Sequence, residues 1–467
     1  MKVASPLDYL VRPGRPLRGC LRIPGDKSIS HRALILAAVA EGETTLRGLL
    51  RSEDVAATWQ ALEALGVGIR AQGAEVRVRG VGLHGLRPPA AALELGNSGT
   101  SARLFAGLLS GRPFSATLKG DASLSRRPMR RVIVPLRRMG ARLCASAAGT
   151  LPLHIAAGPR LRGIAYRLPV ASAQLKSCLL LAGLGAEGET CLREPAPTRD
   201  HTERLLSRFG RPVQRAGLEL RLSGGGGLRG TRLQVPGDLS SAAFLLVAAS
   251  IVPGSELRLE GVGVNPTRRA VLEILEAMGA DLELRERSPE WGAGDEPVAD
   301  LTVRAAAGLT GIDIPRALVA PAIDELPVLM VAAACARGRT RLRGAGELRV
   351  KESDRIAAIA AGLQALGVEV VVDGDGMDVR GGRLQGGSVA SGGDHRIAMS
   401  FAVAGLAAEG SVRIADCGPV ATSFPGFADL LRQAGADLRV AGDEGAGANA
   451  LGEGSGEGRE GVSGADG

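Results

Sequence analysis

Hydrophobic and polar positions along the chain form a composite pattern that recurs six times, at a spacing of roughly 70 residues. Each repeat opens with a polar turn of Gly, Ser and Asp. An apolar helix rich in Ala and Leu, a glycine-containing break and a short strand follow. Two examples are PGDKSISHRALILAAVAEGETTLRG and PGDLSSAAFLLVAASIVPGSELRLEG. The pattern predicts a helix followed by a strand in the first half of every repeat.

The second half of each repeat contains an amphipathic helix that a glycine closes and a strand follows, as in ALEALGVGI and ILEAMGADL. A glycine in this place is predicted to be the C′ residue of the helix, in the left-handed conformation. The six glycines are Gly66, Gly140, Gly210, Gly279, Gly367 and Gly435. Each repeat is therefore interpreted as a βαβαββ module.

Six modules predict an α/β protein of two lobes, with three modules in each. A continuous solenoid is disfavoured because these repeats are longer than solenoid repeats, and 467 residues suit two ordinary domains. Two Pro-Gly-Asp turns mark the predicted crossings between the lobes. One lobe is predicted to span 23–236, and the other 1–22 plus 237–440. Residues 441–467 lack periodicity and are predicted to be a disordered tail rich in Gly and Glu.

Composition limits the class of partner. Aromatic residues make up only 2% of the chain, so few rings are present for stacking on bases, and nucleic-acid binding is not expected. A net charge of +8 suits small anionic substrates. Six cysteines without a C-x-x-C pair predict reduced thiols in the cytoplasm, and no zinc-site spacing is present. No apolar run is long enough for a signal peptide or a membrane span, so no membrane association is expected.

Lysines and histidines are rare and fall at distinctive places. The chain has 52 arginines but five lysines, and Lys27, Lys176 and Lys351 lie in the polar segments GDKSISHR, ASAQLKS and RVKESDR. Lysine supplies a compact charge that arginine does not reproduce. Helix N-termini attract anions, and the first helices of the six repeats are each predicted to begin at a polar turn. The pattern predicts that these helix starts converge on one cleft that binds phosphate or carboxylate groups.

Motifs for nucleotide cofactors and covalent nucleophiles are missing. Gly25 and Asp26 directly before Lys27 break the spacing of a P-loop, and no dinucleotide fingerprint follows a strand. Neither H-E-x-x-H nor G-x-S-x-G occurs. The remaining type of chemistry is acid–base catalysis by groups that lie beside cations that bind anions. No cofactor and no metal are expected.

The motifs together resemble the 5-enolpyruvylshikimate-3-phosphate synthase family along residues 10–440. PGDKSISHRA, LGNSGTSARL, ASAQLKS, TRDHTE, RVKESDR and GGDHRIAMS each resemble a family segment, and ASAQ and ATSFP are similar to its second subclass. The resemblance implies the two-lobed enolpyruvyl transferase fold, an inside-out α/β barrel. It also implies a monomer that transfers the enolpyruvyl group of phosphoenolpyruvate to the 5-hydroxyl of shikimate 3-phosphate, releasing phosphate.

The same resemblance implies three groups of substrate-binding residues. Those of the first substrate-binding cluster are Lys27, Ser28 and Arg32, of which Lys27 is expected to reach both substrates. Those expected near phosphoenolpyruvate are Gly99, Arg127, Arg355 and Arg396. Those expected near shikimate 3-phosphate are Ser172, Ala173, Gln174, Arg199, Asp324 and Lys351. Arginine suits such places because its planar guanidinium binds carboxylate and phosphate with two hydrogen bonds.

Three residues are implied to be catalytic. Asp324 resembles the base that takes the proton of the attacking hydroxyl. Glu352, together with Lys27, resembles the group that protonates the methylene carbon and later removes a proton from it. Such a reaction adds and then eliminates, and therefore needs one proton donated and one removed.

Two alternatives remain open. A UDP-N-acetylglucosamine enolpyruvyl transferase has the same six-module plan, but it uses a cysteine on a mobile loop, whereas Cys144 lies in the strand-like segment RLCAS. A non-catalytic anion-binding protein would not need Asp324 and Glu352 among the cations.

Overall fold

The computed structural model describes residues 7–287 and 296–441, and its elements follow the six repeats. The α-helices in these residues are α1 (Lys27–Ala38), α2 (Glu53–Ala64), α3 (Gly99–Leu109), α4 (Arg130–Arg138), α5 (Ala173–Leu184), α6 (His201–Arg208), α7 (Leu239–Ile251), α8 (Ala270–Ala277), α9 (Arg316–Val319), α10 (Leu326–Cys335), α11 (Arg355–Ala365), α12 (His395–Leu406) and α13 (Phe427–Gln433). Short 3₁₀ helices are Leu124–Arg126, Gly346–Val350 and Gly418–Thr422.

In residues 7–287 and 296–441, the strands form six small sheets. They are β1 (Asp8–Arg12), β2 (Arg18–Arg22), β3 (Ala40–Arg47), β4 (Gly68–Gln72), β5 (Glu75–Val81), β6 (Leu93–Glu94), β7 (Ala116–Lys119), β8 (Leu143–Cys144), β9 (Leu153–Ile155), β10 (Ala165–Arg167), β11 (Glu189–Arg193), β12 (Gln214–Ala216), β13 (Glu219–Ser223), β14 (Leu228–Arg229), β15 (Arg232–Gln234), β16 (Glu256–Gly263), β17 (Asp281–Arg287), β18 (Val298–Arg304), β19 (Arg339–Leu342), β20 (Glu369–Asp373), β21 (Gly376–Arg380), β22 (Gly387–Ala390), β23 (Val412–Ala415) and β24 (Asp437–Ala441).

The sheets share one plan. Their strand orders are β14-β3-β5-β4 with β15 also on β3, β6-β7-β9-β8, β10-β11-β13-β12, β17-β18-β16-β2, β19-β21-β20 and β22-β23-β1-β24. Four of the six combine one parallel pairing with two antiparallel ones, and the β3 sheet has two parallel pairings because both β14 and β15 pair with β3. The β19 sheet has isolated parallel bridges at Thr310 and Asp313 in place of the parallel strand. One sheet per repeat is the arrangement that the βαβαββ interpretation predicts.

The first helix of each repeat is buried on nearly every side. Helices α1, α3 and α5 lie inside one part of the molecule, and α7, α10 and α12 lie inside the other. Their Ala- and Leu-rich sequences explain this, because a helix that is apolar all round has no face suited to water. The strands alternate buried and exposed residues, so each sheet covers the helices on one face.

Two hydrophobic cores fill the two parts. One core contains buried residues between Ile29 and Val235, and the other contains those of 9–23 and 239–438. Strands β1 and β2 pack with the second core, as β2 pairs in parallel with β16 from Arg18 to Arg22. The predicted lobe boundaries stay a prediction. The predicted tail lies outside the described residues, except that Ala441 ends β24.

Local chain signals are confirmed at the helix ends. All six predicted C′ glycines have positive φ, between 81° and 104°. Side chains cap the first helices at Asp26, Ser98, Ser172, Asp238 and Asp394, whereas α10 begins after Glu325 without a side-chain cap. These caps satisfy backbone N–H groups that otherwise lack a partner.

The chain passes between the two parts twice, and the passages are joined. Gly25 and Gly237 form an antiparallel bridge, and the N–H groups of Asp26 and Asp238 donate to Pro236 and Pro24 at 2.8 and 2.9 Å. A side chain at Gly25 would overlap the carbonyl oxygen of Gly48, so only glycine permits this approach.

Within residues 7–287 and 296–441, no helix combines the length and the apolar character needed to cross a bilayer.

Gly107→Ala is expected to destabilise the protein by about 1–3 kcal/mol, because its Cβ would overlap the carbonyl oxygen of Cys178 where α3 crosses α5. Gly185→Ala is the matched control, since its Cβ meets no atom within 4 Å. Thermal unfolding measures both. Equal midpoints for the two variants would contradict close contact between these helices.

Candidate active site

A deep cleft lies where the six first helices begin. Its lining includes residues of the first turns of α1, α3, α5, α7 and α12, together with Asp324 just before α10. Helix N-termini from both parts of the molecule therefore face one space, as the sequence predicts. Among the described residues, ten cationic side chains line it against four acidic ones, which makes it suited to ligands with several negative charges. The cations are Lys27, Arg32, Arg103, Arg127, Arg131, Arg199, Arg268, Lys351, Arg355 and Arg396.

Asp324 lies at the centre of one cationic group. Its Oδ2 accepts from Arg199 at 2.6 Å, and its Oδ1 lies 3.3 Å from Lys351 Nζ and 3.6 Å from Arg355. Arg396 donates to its main-chain oxygen at 2.8 Å. Burial alone would raise the pKa of Asp324, but these four cations hold it well below its ordinary value. Asp324 is therefore ionised near neutral pH.

Glu352 lies in a second cationic group. Its Oε1 accepts from Arg127 at 3.2 Å, and its Oε2 accepts from Arg355 at 2.6 Å. Burial opposes ionisation, yet Arg355 and Arg127 hold the pKa of Glu352 well below its usual range. Arg355 is 1% exposed and is itself fixed by Asp394 at 2.8 Å, so it links the two carboxylates through one rigid guanidinium.

Lys27 begins α1 and reaches into the cleft. Its Nζ lies 3.1 Å from Asp54 Oδ2, and its N–H donates to Asp238 at 3.4 Å. Burial raises the pKa of Asp54, an effect that Lys27 opposes. Ser28 lies beside Lys27 and accepts from Arg32 through its main-chain oxygen.

Arg32 is more deeply placed than a simple ligand-binding arginine. Its guanidinium donates to Thr202 and Ser177, both at 2.8 Å, and to Ser28 at 2.9 Å. Burial lowers the pKa of Arg32 to about 10. Arg32 therefore joins α1 to α5 and α6, while the face that lines the cleft adds positive charge.

Gly99 starts α3 beneath two guanidinium groups. A Cβ there would lie 2.7 Å from Arg103 Nη1 and 3.2 Å from Arg127 Nη1. Arg103 also donates to Gln174 Oε1 at 2.8 Å, and burial lowers the pKa of Arg103 to about 10. Glycine at this position thus allows the two arginines to lie over the start of the helix.

Residues 172–174 lie at the start of α5, beside the start of α3. Ser172 caps the helix, accepting from Leu175 N at 3.3 Å, and Gln174 donates to Thr100 at 3.1 Å. Ala173 and Gln174 line the cleft, and Ser172 lines the adjoining pocket that also contains Asp324 and Lys351. The predicted site residues are therefore gathered around one space, while their individual roles stay predictions.

Sequence reasoning missed several cleft residues. Asp54, Arg103, Arg268 and His395 contact or line the site, and Arg131 binds Glu347 across the cleft at 2.7 Å. Burial lowers the pKa of His395 to about 3, so it is neutral. Asp54 lies in the first turn of α2, where an acidic residue is common because it interacts favourably with the helix dipole, so its sequence position gives no sign of a role in the cleft. Only a search for cations next to predicted helix starts would have singled out Arg103.

One group outside the cleft has the composition of a metal site. Carboxylate and imidazole atoms of Asp200, His201 and Glu296 lie within 4.8 Å of one another. The side-chain amide of Asn265 already lies between the two carboxylates and donates to each at 2.7 Å. The residues are therefore paired with each other, and the arrangement does not favour a cation.

Comparison with known proteins agrees with this geometry. The family model described as EPSP synthase (3-phosphoshikimate 1-carboxyvinyltransferase) matches residues 11–431. A protein of that name from Halorhodospira halophila is 59% identical over 438 residues, covering 93% of this chain and 98% of its own. Its counterpart from Methylococcus capsulatus is 57% identical over 433 residues, covering 92% and 98%.

A solved structure agrees as well. The EPSP synthase of Acinetobacter baumannii superposes with a TM-score of 0.84 at 49% identity, covering 93% of this chain and 100% of its own. Fold and cleft define an enolpyruvyl transferase with six βαβαββ repeats in two lobes. Within that class, the chain belongs to the EPSP synthase family, the 3-phosphoshikimate 1-carboxyvinyltransferases.

Asp324→Asn is expected to lower the free energy of unfolding by about 1–3 kcal/mol at pH 7, because four cations lose their shared carboxylate. The folded pKa lies below the ordinary value of 3.8. The difference from wild type should therefore be constant above about pH 5 and decline as the pH falls through the folded pKa. Urea unfolding across this range measures it.

The control is Asp313→Asn, at an exposed pair with Arg341, which should change stability by less than about 0.5 kcal/mol. A difference between Asp324→Asn and wild type that vanishes already at pH 6 would contradict the depressed pKa.

Proposed function

We propose that the protein transfers the enolpyruvyl group of phosphoenolpyruvate to the 5-hydroxyl of shikimate 3-phosphate within this cleft. Membership of the 3-phosphoshikimate 1-carboxyvinyltransferase family supports this reaction. The single observation that carries the assignment of roles is the placement of two ionised carboxylates, Asp324 and Glu352, among ten cations. An anion-binding protein needs the cations, but proton transfer also needs the carboxylates.

Phosphoenolpyruvate binding is proposed to use Arg127, Arg355 and Arg396, beside Lys27 and the main chain of Gly99. Arg127 and Arg355 currently bind Glu352, and Arg396 donates to the main-chain oxygen of Asp324. The substrate phosphate and carboxylate would share these donors, because charge-assisted bidentate bonds are the strongest that arginine forms. The same arginines therefore bind the substrate and regulate the neighbouring acids.

Shikimate 3-phosphate is proposed to bind between Lys27, Lys351 and Arg199, on the wall formed by Ser172, Ala173 and Gln174. Its phosphate would draw Arg199 and Lys351 toward itself. These two cations now hold Asp324 ionised from 2.6 and 3.3 Å. When they share their charge with the phosphate, the pKa of Asp324 rises, and Asp324 becomes a stronger base.

The chemical steps then follow from the positions of these groups. Asp324 takes the proton of the 5-hydroxyl while that oxygen bonds to the central carbon of phosphoenolpyruvate. Phosphoenolpyruvate shares the charge of Arg127 and Arg355, so the pKa of Glu352 rises and Glu352 takes up a proton before the addition. Glu352, with Lys27, then delivers this proton to the methylene carbon, giving a tetrahedral intermediate. Loss of a proton from the new methyl group and cleavage of the carbon–oxygen bond to phosphate complete the transfer. Closed walls exclude water during these steps.

Several broader features also belong to the proposal. The two lobes are proposed to be 23–236 and 1–22 plus 237–440, which the two separate cores support. A monomer that binds no nucleic acid is supported by a cleft complete within one chain and by an aromatic content of 2%. Six free cysteines support a cytoplasmic location, where thiols stay reduced.

Phosphate release should occur when the protein is mixed with phosphoenolpyruvate and shikimate 3-phosphate, and Asp324→Ala should lower kcat about 10²–10⁴-fold. Asp313→Asn should keep the wild-type rate. UDP-N-acetylglucosamine serves as the parallel acceptor. Release only with the nucleotide sugar would favour the sister transferase, and release with neither acceptor would reduce the role to anion binding.

Gly99→Ala is expected to raise KM for phosphoenolpyruvate about tenfold, because the new methyl group displaces Arg103 and Arg127 from above α3. KM for shikimate 3-phosphate should change by less than about twofold. Steady-state kinetics with each substrate varied in turn separates the two. A larger change for shikimate 3-phosphate would contradict the proposed placement of phosphoenolpyruvate.

A further inference from the structure

A buried asparagine joins the two parts of the molecule behind the cleft. Asn265 follows β16 in the part that contains the second core, and it is 2% exposed. Its Nδ2 donates to Asp200 Oδ1 and to Glu296 Oε2, both at 2.7 Å. Asp200 precedes α6, which packs into the first core, so one of these two bonds crosses between the parts.

The amide of Asn265 is used completely. Its Oδ1 accepts from Thr267 N at 2.8 Å and from Thr267 Oγ1 at 2.7 Å, while both Nδ2 hydrogens go to carboxylates. This saturation fixes the orientation of the amide, because exchanging its N and O atoms would face oxygen against two carboxylates. Asn265 thus has one arrangement, with donors directed at Asp200 and Glu296.

A second bond between the parts strengthens the same junction. His201 Nδ1 lies 2.5 Å from Glu296 Oε1, and the side chains of both residues are no more than 2% exposed. Glu296 therefore receives Asn265 on one oxygen and His201 on the other. Residues 200 and 201, at the start of α6, are both attached to the opposite part of the molecule.

The residue directly before this junction is Arg199, whose Nη2 donates to Asp324 across the cleft at 2.6 Å. The neighbouring peptide can shift only as far as Asp200 permits. Displacement of Asp200 by an ångström would move the guanidinium of Arg199 relative to Asp324, and shifts of this size have large effects on reaction rates.

We infer that Asn265 is a positioning residue of the reaction, which clamps Asp200 across the two lobes and thereby sets Arg199 against Asp324 and shikimate 3-phosphate. This inference rests on the proposed function for its kinetic consequence. Its structural consequence, the attachment of Asp200 to the other part of the molecule through Asn265, does not depend on catalysis. Asn265 acts through Arg199 and is not proposed to touch either substrate.

The test exchanges the two partners. Asn265→Asp is nearly isosteric but places a third carboxylate against Asp200 and Glu296, so the junction should loosen. The double variant Asn265→Asp, Asp200→Asn restores one amide and one carboxylate across the bond between the two parts, with donor and acceptor reversed. The bond to Glu296 is not restored, so the expected recovery is partial. Each variant is measured with a metal chelator present, because Asn265→Asp adds a carboxylate to a group that already offers three potential metal ligands.

Asn265→Asp is expected to lower kcat/KM for shikimate 3-phosphate about 10- to 100-fold. The double variant is expected to have a kcat/KM for shikimate 3-phosphate at least about tenfold higher than that of Asn265→Asp. Small-angle scattering of the protein with shikimate 3-phosphate bound should show a larger radius of gyration for Asn265→Asp and a return toward wild type for the double variant. The thermal midpoint of each variant identifies any that fails to fold.

The inference is overturned if Asn265→Asp keeps wild-type kcat/KM and radius of gyration, or if the double variant recovers neither quantity. If the wild-type protein has no activity, the proposed function is wrong. The radii of gyration of the three proteins would still test whether Asn265 holds Asp200. In that case, a larger radius of gyration in Asn265→Asp and its return toward wild type in the double variant would support the link between Asn265 and Asp200 but not the reaction.

Discussion

The structure depends on one buried guanidinium at the place where the chain crosses between its two parts. Arg268 is 3% exposed, and it lies 3.2 Å from Asp26, 3.3 Å from Asp238 and 3.6 Å from Glu325. Burial alone would lower the pKa of Arg268, but these three carboxylates raise it above its ordinary value. A buried charge of this kind is tolerated only when its partners are fixed, so it imposes one arrangement on both crossings.

The electrostatic design of the cleft follows from this arrangement. With the crossings fixed, helix starts from both parts face each other, and ten cations are held against four acids. Ion pairs such as Arg127 with Glu352 and Arg131 with Glu347 reduce the repulsion in the free protein. Anionic substrates complete the compensation, so their binding energy is directed to the groups that transfer protons.

Much of this could be read from local sequence signals. The six C′ glycines and most of the helix caps depend on residues next to one another in the chain, and their conformations are those that the pattern predicts. Pairs such as Arg268 with Asp26 are separated by 242 positions, and a single sequence carries no signal for them. Arg103 and Asp54 were missed for the same reason, because each resembles an ordinary helical residue until the fold brings its partner close.

The long-range pairs nevertheless follow a rule that connects them to the chemistry. Lys27, Arg199 and Asp324 each stand directly beside an acid in the chain, namely Asp26, Asp200 and Glu325, of which Asp26 and Glu325 are buried and Asp200 is half-buried. Each of these acids binds a residue of the turn from Asn265 to Arg268. One turn therefore fixes the neighbours of three cleft residues, two from the first part of the molecule and one from the second. Because adjacent residues share a rigid peptide unit, fixing the acids limits how far the three cleft residues can move. The precision of the cleft thus comes from residues that need not contact a substrate.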